Sequence, residues 1–189
     1  MMLGPELTAK ARTAHLAGAE WGYRGPASAR VGCGTKARLR MPLTEFRLTR
    51  RVQFHETDAA GIVHFSVFFR YMEEAEHAMW RAAGLSIAAP GAPVGFPRVG
   101  TSFEFLKPLR FEDTFDVRLR VTGKTPKTLS YSATIEKDGT TLARGTLTVA
   151  CVSKRPGEPM RGTEIPADIA DRFAVAALVD DEREDEVDG

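Results

Sequence analysis

A chain of 189 residues, 43% hydrophobic and 27% charged, is long enough for one sizeable core and has the composition of an ordinary globular domain. No apolar run approaches membrane-spanning length. The two cysteines, Cys33 and Cys151, lack ligand-like spacing, which argues against a disulfide scaffold or a cysteine-rich zinc site.

The formal net charge of +1 is unevenly spread. Residues 1–40 hold seven Lys/Arg against Glu6 and Glu20, and residues 168–189 hold nine Asp/Glu against Arg172 and Arg183. Both ends read as solvated segments that need no partner. Residues 1–40 are rich in Gly, Ala and Arg with weak periodicity and no continuous apolar core, so they are expected to form a flexible extension rather than a signal peptide. From Met41 the run MPLTEFRLTRRVQF opens into a strand pattern. The expected domain therefore spans 41–160. Residues 161–189 form a C-terminal extension, with a short helix over 166–179 and an acidic tail.

Phe46, Leu48, Val52 and Phe54 recur at two-residue steps, with Arg50 intruding, and predict a half-buried strand. The run DAAG, Asp58 to Gly61, interrupts it as a loop. From Phe65 to Ala83 the period changes. Phe65, Phe68, Met72, Ala75, Met79 and Ala83 share one helical face, and Arg70, Glu74, His77 and Arg81 follow the opposite one. Ser66 is the expected N-cap, Gly84 the expected stop, and Arg70–Glu74 a helix-compatible ion pair. A connection rich in Pro and Gly follows, and then mostly extended chain. Phe103 and Phe105 alternate, as do Phe115, Val117, Leu119 and Val121, with a bend at Lys107-Pro108. Tyr131, Ala133 and Ile135 are followed by a turn at Asp138-Gly139 and by Leu147, Val149 and Cys151. The pattern is α+β: one strand, a long helix, then largely antiparallel strands. The nucleotide-binding patterns GxGxxG and GxxxxGK[ST] are absent.

Within HETDAAGIVHFS, Asp58 has two readings. Its carboxylate can satisfy backbone donors of an Asx turn or the positive end of the helix. Its second reading, which spacing favours less than the first, sets it beside preorganised helix-start amides, around His64 to Ser66, that polarise an acyl carbonyl. A carboxylate is a weak nucleophile, so the second reading suits an activated acyl group such as a thioester.

The run VQFHETDAAGIVHFSVFFRYMEEAEHAMW, followed by RVGTSFEFLKPLRFEDTFDVRLRV, resembles the 4-hydroxybenzoyl-CoA thioesterase-like branch of the hotdog superfamily over about residues 45–155. The resemblance implies a hotdog fold, with a curved antiparallel sheet wrapped around the long central helix. It implies a homodimer or homotetramer, sites between subunits, and hydrolysis of acyl-coenzyme A thioesters without metal or other cofactor. It places the loop carboxylate at Asp58, as nucleophile or general base, and the oxyanion donors in the His64–Phe65–Ser66 region. Gly61 would permit the close turn between them. Relatives of the short-chain acyl-CoA type carry an aromatic residue and then His at the helix entrance. Here His64 precedes Phe65, so that histidine's role does not transfer. Other hotdog thioesterases place a Glu on the central helix, and Glu73 is the comparable residue. His77, four residues on, could pair with it.

Coenzyme A also requires cations at a cleft mouth, for which Arg98, Lys107, Arg110, Lys124, Lys127, Lys154 and Arg155 are candidates. The phenylalanines among them fit a core better than a nucleic-acid platform. Neither a nucleic-acid partner nor a membrane is expected, and the implied location is cytoplasmic. The alternatives are a thioesterase acting on acyl-carrier protein and a non-catalytic acyl-CoA-binding protein.

Overall fold

The computed structural model describes residues 41–155 and 157–177. The basic segment 1–40 with Cys33, and the acidic tail from 178 onward, lie outside the described residues.

The first strand, β1 (Glu45–Arg51), alternates exposed and half-buried residues as its spacing predicts. Arg50 is on the half-buried side because it is paired: it contacts Glu56 and Glu74, and its guanidinium lies 5.1 Å over the Tyr71 ring. A 3-10 turn (Phe54–Glu56) and a short loop lead into α1 (Phe65–Ala82). Phe68, Met72, Ala75, Met79 and Ala83 are buried on its expected face. Phe65 is not; it is 60% exposed. Tyr71, Glu76 and Trp80 are buried as well, so the helix is covered over a wider arc than the apolar stripe alone. Trp80 packs 4.8 Å from Phe96 and 5.2 Å from Phe173 between ring centroids; truncating so large a buried ring costs about 3–5 kcal/mol. At its end Gly84 takes φ +80°, and the Leu85 N–H reaches the Trp80 carbonyl, a left-handed glycine stop. Glu74 pairs with Arg50 rather than with the expected Arg70.

β2 (Val94–Gly95) and β3 (Arg98–Phe105) precede three long strands, β4 (Thr114–Lys124), β5 (Thr128–Lys137) and β6 (Thr140–Ala150). Asp138 and Gly139 join β5 to β6, both with positive φ. Two left-handed central residues make the primed hairpin turn that matches strand twist. β7 (Val152–Ser153), β8 (Arg161–Gly162) and α2 (Ala167–Ala170) are the last of the described elements. Where a helix was expected over 166–179, α2 has four residues. The chain then extends: Ala174 donates to the Leu43 carbonyl and Ala176 to that of Val121. Phe173 is thereby buried in the core.

The antiparallel strands form a five-stranded sheet ordered β1-β4-β5-β6-β3 and a three-stranded sheet ordered β2-β7-β8. This corrects the expectation of one curved sheet wrapped around the helix. Among the described residues the larger sheet neither curls nor closes: there β1 pairs only with β4 and β3 only with β6, leaving both as edges. The strand patterns could show that a sheet existed, but they carried no information about closure. The architecture is α+β with one main helix packed on an open sheet.

Candidate active site

Asp58 sits at the tip of a miniature hairpin. The Asp58 N–H donates to Ile62 O and the Gly61 N–H to Asp58 O, both at 2.9 Å, while Thr57 and Val63 form an antiparallel bridge. At the base, the His64 N–H donates to Glu56 O at 2.9 Å. On its outer side the returning arm is tied to the next segment, with the Val63 N–H donating to Leu109 O at 2.8 Å. One Asp58 carboxylate oxygen, Oδ1, accepts the Ala60 N–H at 2.8 Å in an Asx turn. The other, Oδ2, has no hydrogen-bond partner among the described residues. One oxygen therefore holds the loop, and the other is left free of it.

The helix start has its own division of labour. His64, not Ser66, is the N-cap, and its Nδ1 accepts the Ser66 N–H at 3.4 Å and lies 2.8 Å from Ser66 Oγ. The His64 N–H is occupied by Glu56 O. Of the three amides from His64 to Ser66, only the Phe65 N–H has no acceptor among the described residues. A free N–H at a helix N-terminus carries the partial positive charge of the helix end.

Asp58 and Phe65 border the same open cleft of ≈ 430 Å³. Its other walls include Ile62, Val63, Phe68, Phe105 and Lys107. Phe105 meets Phe68 edge-on, with centroids 5.1 Å apart, and stacks 5.9 Å from Phe103. The cleft thus combines one carboxylate, one cation and an aromatic wall.

The family profile of the thioesterase-like superfamily matches residues 52–173. The chain belongs to that superfamily. Within this hotdog-fold group it falls in the 4-hydroxybenzoyl-CoA thioesterase-like branch. It is similar to a 1,4-dihydroxy-2-naphthoyl-CoA hydrolase of Synechococcus sp. (strain CC9311), 31% identical over 108 residues, covering 52% of this chain and 71% of the relative. A hypothetical protein of Aquifex aeolicus has a solved structure similar to this one, with TM-score 0.64 and 29% identity over 68% of this chain and 99% of that one. The structure of a gentisyl-coenzyme A thioesterase is also similar, with TM-score 0.59 and 26% identity over 65% of this chain and 98% of that one.

Against this thioesterase frame, Asp58, Gly61, His64, Phe65 and Ser66 are brought together around one loop and helix entrance. Glu73 is not. It lies two turns along α1 and pairs with Arg98 at 3.0 Å, beside the fully buried Glu76, which holds the same guanidinium at 2.7 Å. Burial raises the Glu76 carboxyl to about 7, against the opposing pull of Arg98 and with a further push from Glu73. His77, 3.5 Å from Arg98, is pulled below its usual value, first by burial. Of the seven candidate cations, Lys107 alone borders the Asp58 cleft; Arg98 is spent on Glu73 and Glu76, and Lys124 on the carbonyls of Ala170 and Phe173.

Two residues near the site escaped the sequence reading. Glu56 is buried and accepts from the Gln53 N–H and from Tyr71 Oη, both at 2.7 Å, and from Arg50 at 3.0 Å. Burial, then the bond to Glu56, raises the Tyr71 phenol well above its ordinary value. The Gln53-to-Glu56 spacing of a capping box was the available signal. Phe105 looked like an alternating core residue, yet it is exposed at the cleft.

Proposed function

We propose that this chain hydrolyses acyl-coenzyme A thioesters to the free acid and coenzyme A, with Asp58 as its reactive carboxylate. The observation that carries this reading is the pairing of an unpartnered Asp58 oxygen with the acceptor-free Phe65 N–H around one apolar cleft. The acyl group lies against Phe65, Phe68 and Phe105, and the thioester oxygen accepts the Phe65 N–H. That donor strengthens as negative charge develops on the oxygen, which is where a fixed dipole lowers the barrier most. Asp58 either attacks the carbonyl carbon or takes a proton from the attacking water. If Asp58 attacks, the C–S bond breaks to leave an acyl–Asp58 anhydride, which water then hydrolyses to restore the carboxylate. If Asp58 activates water, the water oxygen adds to the carbonyl directly and the C–S bond breaks. In both courses coenzyme A leaves as the thiolate, and the proton given up by water passes to the thiolate or to solvent.

Lys107 supplies positive charge where the phosphate-bearing part of the substrate leaves the cleft. The aromatic wall favours a planar acyl group, in keeping with the naphthoyl and gentisyl thioesters named for the two relatives. The proposal includes at least a homodimer. β3 is a free sheet edge with seven of its eight residues exposed, Val99 and Phe105 among them, and such an edge is a ready template for pairing.

The test is coenzyme A release from a panel of short-chain, long-chain and aromatic acyl-CoAs, run beside Asp58→Asn. The reading expects multiple turnovers on an aromatic member. Saturable binding without turnover across the whole panel contradicts it.

A further inference from the structure

Glu56 is two residues before Asp58 and is one of only two buried charged residues among those described, with Glu76. Unlike Glu76, it is fully partnered. Three donors from three places in the fold converge on its carboxylate: Arg50 from β1, the N–H of Gln53 just before the 3-10 turn, and Tyr71 Oη from the second turn of α1. Its backbone accepts as well, with Glu56 O taking the N–H of His64, the residue immediately before Phe65. One residue therefore anchors the base of the Asp58 loop through its side chain and the start of α1 through its carbonyl.

Fold stability alone does not account for this arrangement. Burying a carboxylate is costly, and apolar residues of similar size often do as well for stability. A buried, charge-assisted network does offer geometric definition, because each bond restricts direction as well as distance.

We infer that Glu56 is a positioning residue for thioester hydrolysis: its carboxylate, clamped by Arg50, Gln53 and Tyr71, sets the placement of Asp58 relative to the Phe65 amide. The inference rests on the functional reading given above. Glu56 does not touch substrate. It acts through the two groups on either side of the reacting carbonyl, so its loss shows in kcat and leaves substrate binding largely in place.

The experiment compares Glu56→Gln, Tyr71→Phe, the double variant and Asp58→Asn on the best thioester, with rates corrected for folded fraction by thermal melting. Glutamine keeps the size of the side chain but removes its charge and presents a donor to donors. Displacement of a reacting group by a fraction of an ångström to an ångström costs up to about a hundredfold. The expected result for Glu56→Gln is a kcat about ten- to hundredfold lower, with KM within about threefold of wild type. Tyr71→Phe gives a smaller loss of the same kind, and the double variant is no worse than Glu56→Gln, because the two residues act as one unit. Wild-type kcat in folded Glu56→Gln, with Asp58→Asn inactive, overturns the inference and leaves Glu56 a folding role. If Glu56→Gln does not fold, unchanged kcat in Tyr71→Phe overturns it. Full turnover by Asp58→Asn overturns the functional reading itself, and this inference with it.

Discussion

The Gly61 N–H donates to the Asp58 carbonyl at 2.9 Å, and Gly61 makes that bond from a left-handed conformation, φ +71°. The turn that presents the aspartate thus depends on a backbone geometry that a side chain resists. Space is not the constraint, since a Cβ at this position meets nothing within 4 Å. Gly61→Ala is expected to cost about 1–2 kcal/mol and to lower kcat as the loop relaxes. Gly61→Asn, which tolerates this region better, is expected to fall between alanine and wild type. Thermal melts paired with steady-state kinetics check both.

How far the sequence shows this site depends on which interaction each residue makes. The long helix and the β4, β5 and β6 strands were legible because their apolar periods are local and regular. The Asp138-Gly139 hairpin was legible for the same reason, its turn chemistry being written in two adjacent residues. Asp58 and Gly61 stood out as a loop before a helix. What could not be seen were pairings between distant positions. Arg50 looked like an intruder in a strand because its partners, Glu56 and Glu74, belong to other elements. Ser66 looked like the helix cap because serine is the favoured residue there; the imidazole of His64 takes that place. Sheet closure depends on which edges pair across the whole domain, and the expected curved wrap failed on that point.

The aromatic wall predicts a selectivity split. Phe105 is held by Phe68 and Phe103 on one side and borders the cleft on the other. Losing an aromatic contact with a ring-bearing substrate is worth about 0.5–1.5 kcal/mol beyond the area lost. Phe105→Ala is therefore expected to raise KM for an aromatic acyl-CoA by roughly tenfold and to change KM for a short aliphatic one much less. Equal effects on the two substrates would remove Phe105 from the acyl-binding wall.

Glu76 predicts a pH dependence of stability. Its folded pKa, about 7, lies above the ordinary 4.5, so the folded protein binds the proton more tightly than the unfolded chain. The stability this supplies is complete below about pH 4.5 and is lost as pH rises through about 7. Its full extent is on the order of 3 kcal/mol. The neighbouring His77, shifted downward, contributes with the opposite sign. Arg98, Glu73 and Tyr131 face the same carboxyl. Glu76→Gln removes the titration together with the charge that faces Arg98, so urea melts from pH 4.5 to 8 should show a flatter decline in the variant, whatever its absolute stability. Parallel pH profiles for the two proteins would contradict the assignment.

In the proposed reaction the Asp58 carboxylate performs the chemistry. The replacement Asp58→Asn keeps an oxygen for the Ala60 N–H and therefore the Asx turn, while removing the charge from the free position. The most direct measurement is the rate of coenzyme A release by this variant on the best aromatic acyl-CoA, with melting temperature and oligomer size recorded alongside. The account predicts a kcat lower by about a thousandfold or more with fold and assembly unchanged. Turnover within a few-fold of wild type would contradict it.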